Sequence, residues 1–589
     1  MTKIRAALLG HPLVRKYTSL VHEDLSATYT RDLHKWLIIA PVMGVVTGLL
    51  ITLLAKTILV WMWPPVLRVY LAHPFVMIPG VAAGFIVAGL IMQHLTPDPD
   101  EHSTEEVIRS YHEHQGAIDV KPFVPKLVAA IATVGLGGSA ALEGPSIYGG
   151  GALGSWLWTR LRGVGLEPRD RRIMLIAGAA AGMSAVFRAP LTGIVFALEM
   201  PYKDDLAHEA LLPALIASVT SYATMAAFLG ATPLFDFATA AAYTRRDLLW
   251  SAVLGLICGL ATMVFTITFR RARGFAVRAP VPHWVKMAVG GTLTGIVGLG
   301  FVSVFHGALV PIGPNYEAVP QLLQQVHGSA LLVAFGIAKL IATLFSLGVG
   351  GVSAAFVPLF LAGGSFGTAF AQSVVHSASP GIFAAVGMAA FIAGGYKAPL
   401  TAVIFVAEAT GGHAYIVPAL IGAAVAYAVS GESSMSGDQK LHEIATVAGL
   451  SRIRVREVMR TQVIAAYADR TLRQFAERIG AQYAHAAYPV YDADRVVGTI
   501  SMRVLGRVKP QAWDETRVGD VMDRDVVRVP LDCDLQEALR LMMTRHGQPM
   551  LLVSSSGERL EGILTKTDIL SALDARGTTN ADAGIAHAP

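Results

Sequence analysis

The chain's long apolar runs constrain its fold more than any other feature. Trp36 to Trp63, Phe75 to Met92, Leu248 to Ile267 and Ala330 to Leu347 are each long enough to cross a bilayer, or nearly so, since a straight helical span needs about 20 apolar residues. The residue balance agrees: 53% hydrophobic and 15% charged, against about 25% charged in ordinary soluble domains. Such a chain has too little polar surface to coat itself in water. A polytopic α-helical membrane domain is predicted over residues 34–431.

Other hydrophobic segments are interrupted. Gly135 to Gly154, Gly348 to Gly367 and Val386 to Thr410 are cut by glycine and proline into pieces too short for a straight span. Irregular backbone at membrane depth must be buried in protein or line a watery cavity, because lipid satisfies no amide. Broken helices of this kind point to an ion or substrate site.

The domain also repeats itself. Ala189-Pro190-Leu191-Thr192 through Glu199 recurs as Ala398-Pro399-Leu400-Thr401 through Glu408, at an offset of about 209 residues. Upstream of each copy lies a glycine-rich segment with a proline near its start, Glu143-Gly144-Pro145 in one and Phe356-Val357-Pro358 in the other. Two related halves are expected, residues 34–235 and 246–431, with a binding site where they meet.

Charge sets the expected orientation. Two basic loops, Arg160, Arg162, Arg169, Arg171 and Arg172 in one and Arg270, Arg271, Arg273 and Arg278 in the other, favour the cytosolic side. Residues 1–33, with Lys3, Arg5, Arg15 and Lys16, carry no cleavage pattern and read as a retained cytosolic segment. The net charge of +5 is thus an orientation signal, with no nucleic acid implied. Cys258 and Cys533 lie far apart and indicate neither a disulfide framework nor a metal site.

After Val429 the composition turns polar, and residues 432–454 read as a linker. A second repeat follows at an offset of about 63: Val455-Arg456-Glu457-Val458-Met459 against Val518-Gly519-Asp520-Val521-Met522, and Gly498-Thr499-Ile500-Ser501 against Gly562-Ile563-Leu564-Thr565. Short β-branched runs alternating with helical patterns predict two small α/β modules, residues 455–508 and 517–573. The tail, 574–589, has a disordered composition.

Over essentially its whole length the chain resembles the CLC family of chloride channels and proton–chloride antiporters. The resemblance rests on Glu143-Gly144-Pro145 with its glycine-rich helix, on Ala354-Ala355-Phe356-Val357-Pro358, on the repeated Ala-Pro-Leu-Thr block and on the terminal module pair, which resembles CBS domains. It implies an inverted internal repeat with re-entrant half-helices, a cytosolic α/β CBS domain pair, and a homodimer with one anion path per subunit. Elementary physics favours the same site. A helix N-terminus offers unpaired N–H groups and about half a positive charge. Dipoles of this strength can hold an anion that must later leave, where a buried lysine or arginine would trap it.

By resemblance Glu143 is the gating glutamate, and the alternative is a carboxylate that merely caps its helix. The amides near Gly144 and Pro145 and those of Ala355 and Phe356 would line the path. Four positions depart from the family pattern. Leu142 stands where Lys or Arg usually precedes the glutamate. Glu101-His102-Ser103-Thr104-Glu105 replaces a Gly-Ser-Gly-Ile-Pro segment, leaving either His102 or Ser103 as the anion-coordinating residue. Ser436 aligns with a chloride-coordinating tyrosine, so the inner end is expected to be less occluded. Met200 falls at the exchangers' proton-transfer glutamate, and Glu199 beside it is read as a structural cap in preference to a proton carrier.

In the second module, Thr565 and Asp568 match the CBS pattern that holds an adenine nucleotide, ATP, ADP or AMP. Val504 stands at the equivalent position of the first module, leaving one nucleotide site or a purely structural pair. These residues favour a chloride channel in the plasma (inner) membrane, multi-pass among membrane lipids, with cytosolic termini. A proton-coupled antiporter is the close alternative. A CBS-regulated cation transporter and a membrane-embedded enzyme built on His102 with Glu101, Glu105 and Glu106 are distant ones.

Overall fold

The computed structural model describes residues 29–572, apart from 101–103, 164–165, 233, 236–242, 307–308, 321–326, 378, 412, 441–452, 481–486, 545–549, 555–559 and 570–571. The chain divides between Glu443 and Ile444 into two compact units.

The first unit is helical. Its helices are α1 (Tyr29–Ala55), α2 (Trp63–Ala72), α3 (Met77–Leu95), α4 (Thr104–Glu113), α5 (Phe123–Gly135), α6 (Glu143–Leu161), α7 (Asp170–Phe187) and α8 (Pro190–Glu199). They continue as α9 (Leu211–Leu229), α10 (Arg245–Arg278), α11 (His283–Phe305), α12 (Ser329–Leu347), α13 (Phe356–Phe370), α14 (Pro380–Tyr396), α15 (Pro399–Thr410) and α16 (Ile416–Val429). Among the described residues, six stretches are long and apolar enough to cross a membrane: 34–72, 74–95, 208–229, 245–278, 283–305 and 329–347. These present large apolar side chains outward, among them Ile38, Phe75, Leu249, Val264 and Val304, as lipid-facing helices must. Helices α6, α7, α13 and α14 are largely buried among them.

The same local signals break the chain in both halves. Helix α7 ends on Arg188 and α14 on Lys397, both in the left-handed region with φ of 52° and 57°. Each is followed by an Ala-Pro step whose alanine has left the helical region, with φ and ψ of −137° and 85° at Ala189 and −125° and 69° at Ala398, because a following proline disfavours the helical conformation. Proline then opens α8 and α15, where its missing N–H costs nothing.

Glycine sets the packing of the broken helices. A Cβ at Gly150 of α6 would stand 2.0 Å from the carbonyl oxygen of Gly178 in α7, and one at Gly363 of α13 would stand 2.2 Å from that of Gly387 in α14. Only glycine permits this backbone-to-backbone approach, the packing mode that membranes favour. Helix α10 starts from a capping box between Thr244 and Asp247 and ends on Arg278, a basic side chain suited to the negative end of the helix dipole.

The halves are antiparallel, and two carboxylates show it. Glu199, the last residue of α8, accepts from the Leu400 and Thr401 amides at the start of α15 at 3.1 and 2.8 Å, and from Thr401 Oγ1 at 2.5 Å. Glu408 of α15 accepts from the Leu191 and Thr192 amides of α8 at 3.0 and 2.7 Å, and from Thr192 Oγ1 at 2.7 Å. Each short helix therefore has its N-terminus capped by its repeat mate.

Residues 432–440, read from sequence as linker, pack in this unit. The Gln439 amide donates to the carbonyls of Met200, Tyr202 and Tyr396 at 3.0, 3.2 and 3.0 Å, satisfying the end of α8 and of α14 at once.

The second unit holds two three-stranded sheets of like design. Strands β1 (Ala466–Tyr467), β2 (Ala487–Asp492) and β3 (Arg495–Ser501) are ordered β1-β2-β3; β4 (Arg528–Val529), β5 (Met550–Ser554) and β6 (Leu560–Thr565) follow as β4-β5-β6. The first pair of each sheet is parallel and the second antiparallel. The lead-in of each module pairs with the other's last strand, Arg460 with Ile563 and Asp523 with Thr499.

Candidate functional site

The lead-ins to α6 and α13 meet as an antiparallel bridge. Ala141 N–H donates to the Ala354 carbonyl at 3.0 Å, and Ser353 Oγ donates back to the Ala141 carbonyl. Two half-helices therefore begin side by side. Neither N-cap, Leu142 or Ala355, supplies a side-chain cap, so the first amides of α13 are open to other acceptors.

Two side chains take them. Glu143, fully buried in the first turn of α6, accepts through Oε1 from the Phe356 amide at 2.6 Å. The Tyr396 hydroxyl accepts from the Ala355 amide at 2.9 Å. An apolar nest of Phe187, Phe196, Phe356 and Phe405 packs around this pair of contacts. Gly144 and Pro145 lie buried in the same turn of α6; having no N–H, Pro145 leaves one donor fewer to satisfy.

Below Tyr396 is a cavity of about 40 Å³ bounded by Thr104, Glu105, Arg273, Ala355, Tyr396 and Ser436, room for a few water-sized particles. It shares Glu105, Phe269, Arg273 and Met435 with a vestibule of about 420 Å³. The vestibule carries Arg109, Arg270, Arg273 and Arg278 opposite Asp98, Asp100, Glu105 and Asp438. Arg273 pairs with Glu105 at 2.8 Å and Arg109 with Asp438 at 3.1 Å.

Of the residues singled out from sequence, Glu143, Gly144, Pro145, Ala355 and Phe356 come together at this crossing. Ser436 reaches the cavity wall, its amide donating to Ser434 Oγ at 3.2 Å. The expectation that the inner end lacks a phenol does not hold, because Tyr396 brings one from α14. His102 and Ser103 lie outside the described residues, whereas their neighbour Thr104 lines the cavity. Glu199 is fully engaged as the cap of α15.

Sequence reasoning missed Tyr396, although a signal existed. Tyr396-Lys397 is the repeat mate of Phe187-Arg188, immediately before the two Ala-Pro blocks. Extending the repeat two residues upstream finds an aromatic pair in which one member has gained a hydroxyl.

In the second unit Asp568 is buried and both its oxygens are used. Oδ1 accepts from Arg460 Nε at 2.6 Å, and Oδ2 from the Thr565 amide and hydroxyl at 3.0 and 2.6 Å. Thr565 and Asp568 are thus adjacent, as the motif requires, with Arg460 across them.

These features define a multi-pass membrane protein in which two half-helices converge on one buried carboxylate. The chain belongs to the voltage gated chloride channel family, whose model matches residues 83–431, and CBS domain models match 455–505 and 518–575. It is 30% identical over 305 residues to an H(+)/Cl(-) exchange transporter ClcA of Yersinia pestis bv. Antiqua (strain Angola), covering 50% of this chain. That match spans 62% of the relative's own length. In fold it is similar to a CLC-type fluoride/proton antiporter, with a TM-score of 0.60 at 22% identity over 70% of this chain and 99% of the other. It is also similar to a eukaryotic CLC transporter, with a TM-score of 0.58 at 18% identity over 91% of this chain and 98% of the other.

Proposed function

We propose that the chain exchanges protons for a small anion, chloride in the first instance, with Glu143 as the gate. One observation carries this reading: the adjacent amides of Ala355 and Phe356, the donors best placed to hold an anion, are both occupied by the protein's own oxygens. An exchanger must keep its path closed on at least one side, and here a carboxylate closes one amide and a phenol the other. Protonation removes the charge that holds Glu143 against the positive end of α13. The carboxyl then leaves, and an anion takes the vacated amide without meeting a full cationic charge.

Kinship to an exchanger supports this reading over the channel that the sequence favoured, and so does Tyr396, which supplies the barrier that Ser436 does not. A proton moving between vestibule and gate has a route on which Glu105 and Tyr396 stand. The Tyr396 phenol interacts electrostatically with both Glu105 and Glu143.

A channel remains the second reading, favoured by Met200 at the exchangers' proton-transfer position and by the engagement of Glu199. The test is proton movement by purified protein in liposomes under an imposed chloride gradient. Uphill proton uptake at a fixed ratio supports exchange, while reversal at the chloride equilibrium potential with no proton uptake supports the channel.

Arg172 stacks on Tyr111 and Arg273 pairs with Glu105, which puts both basic loops around α4, on the side proposed as cytosolic in a plasma (inner) membrane. A homodimer is proposed from the family resemblance, and its mass in detergent tests it. An adenine nucleotide at Thr565 and Asp568 is proposed as a regulator.

A further inference from the structure

Two polar atoms at the centre of the membrane unit are buried with no hydrogen-bond partner, Glu143 Oε2 and Tyr316 Oη. Such orphans are rare in folded proteins, and each costs about 1–3 kcal/mol in desolvation unless another state satisfies it. They are neighbours. Tyr316 Oη approaches the backbone of Leu142, the residue before Glu143, without hydrogen-bonding geometry, and its phenol interacts electrostatically with the Glu143 carboxylate. Its ring packs on Phe187 and Phe235, 6.4 and 6.1 Å between centroids, in contact with the nest around the gate.

Tyr316 lies on the side of Glu143 away from the vestibule. Helix α11 starts at the vestibule, where His283 stands 3.2 Å from Asp100, and crosses the membrane, so the segment after Phe305 begins on the opposite side. Residues 309–320 then dip inward. They are held by Lys339 of α12, whose fully buried Nζ donates to the Gly313 carbonyl at 2.8 Å and to Asn315 Oδ1 at 2.5 Å. Asn315 Nδ2 donates in turn to the Val310 carbonyl at 2.6 Å, and the Gly313 amide to the Gly137 carbonyl at 2.9 Å. Gly313 and Asn315 both take positive φ, 81° and 53°. This clamp fixes the backbone immediately before Tyr316, and the Ala318 amide donates back to the Asn315 carbonyl at 3.1 Å to close the turn that carries it.

We propose that Tyr316 is the receiving group for the gate: when Glu143 is protonated and leaves the Phe356 amide, its carboxyl moves to the far side and hydrogen-bonds Tyr316 Oη. The proposal rests on the reading of Glu143 as the gate. It satisfies both orphans in one step, in a nest where no water need enter. Tyr316 is a positioning residue that stabilises the released, neutral gate, and Lys339 sets where it stands. Among the described residues, Tyr316 and Tyr396 bring titratable phenols close enough to Glu143 to feel its charge. Tyr396 is held on the other side by the Ala355 amide, and Glu317 beside Tyr316 accepts from the Trp63 indole at 2.9 Å, so neither competes for the carboxyl.

The test compares the pH dependence of chloride flux in liposomes for wild type, Tyr316→Phe, Glu143→Gln and the double variant. The phenol favours the protonated gate, so its loss moves the pH of half-maximal flux downward, by about half a unit to one unit for a single hydrogen bond. In the Glu143→Gln background Tyr316→Phe shifts nothing. A midpoint does not depend on how much protein is reconstituted, so a lower yield of Tyr316→Phe leaves the readout intact. An unchanged midpoint overturns the proposal. So does an upward shift, which would mean that the phenol stabilises the charged, plugging carboxylate. If Glu143→Gln keeps the wild-type pH dependence, the gate reading itself fails; if it loses that dependence while Tyr316→Phe matches wild type, only the role of Tyr316 fails.

Discussion

The two halves of the membrane unit share a backbone plan and differ in chemistry at a few positions. Both start a half-helix at the crossing, both end the next helix on a left-handed basic residue, and both open a short helix with Ala-Pro. At the crossing, however, Glu143 of the first half faces Phe356 of the second, and upstream of the Ala-Pro step Phe187 corresponds to Tyr396. The first half supplies the carboxylate and the second the amides and the phenol. Symmetry alone yields two helix N-termini aimed at one place. Two side chains that break it, the Glu143 carboxylate and the Tyr396 phenol, occupy the amides there, and the proposed gate consists of these two plugs.

The largest effect is expected where the symmetry is broken by charge. Glu143→Gln removes the carboxylate that holds the Phe356 amide at the crossing, so proton uptake driven by chloride should fall to background while chloride flux persists and loses its pH dependence. The mirror change, Phe356→Leu, should leave pH dependence in place. Were Glu143→Gln to abolish all flux in a folded, inserted protein, the carboxylate would be a structural cap and the comparison of the halves would lose its functional meaning.

Tyr396→Phe restores the symmetry at the second position, since phenylalanine is what the first half carries at Phe187. It keeps the ring but frees the Ala355 amide for an anion. Passive chloride flux should rise and the number of protons moved per chloride should fall, each by about two- to ten-fold, the equivalent of one hydrogen bond. Phe187→Tyr should alter neither ratio. Equal effects from the two aromatic variants would show that the phenol's contact with Ala355 is incidental.

Where the halves agree, the effects should agree too. Glu199 and Glu408 each accept three hydrogen bonds at the other's helix start. Glu199→Ala and Glu408→Ala should each cost about 1–2 kcal/mol of stability, the range for a lost N-cap, read as lower melting temperatures in detergent. Coupling should be unchanged in both. A loss of proton movement in Glu199→Ala at normal stability would make Glu199 a proton carrier, against its engagement in the cap.

How much of this was legible follows the kind of signal each feature leaves. Membrane class, two halves and the paired modules leave periodic or repeated strings, which a single sequence displays. Glu143 was legible because an intramembrane carboxylate at a helix start has few bland explanations. Tyr396 was not, because it reaches Ala355 across a helix break, and no spacing rule connects residues 355 and 396. The loop of Tyr316 and its Lys339 clamp were invisible for a stronger reason: their meaning lies in one phenol without a hydrogen-bond partner and one lysine Nζ with two, and neither is a property of sequence. The segment at His102 and Ser103 lacks the glycine and proline landmarks that would set its register.

The C-terminal modules repeat the lesson on a smaller scale and yield the smallest expected effect. They too exchange elements across a pseudo-symmetric pair, yet Asp568 of one corresponds to Val504 of the other, so only one half offers a carboxylate to a ribose. That carboxylate is already bound. Arg460, which is half-exposed, holds Oδ1 at 2.6 Å, while Thr565 holds Oδ2. A nucleotide that binds through Asp568 must therefore displace Arg460 or recruit it to a phosphate, and the two cases have opposite signs. If Arg460 is a competitor, Arg460→Ala in the full-length protein should tighten adenine-nucleotide binding by about two- to five-fold, since an ion pair whose cation stands in solvent contributes up to about 1 kcal/mol. If Arg460 serves the phosphate, the same substitution weakens ATP more than AMP, because a charge-assisted contact to phosphate is lost. Asp568→Ala should abolish binding in either case. Unchanged affinity in both variants, measured by calorimetry, would leave the pair a structural module whose asymmetry at Val504 and Asp568 has no ligand behind it.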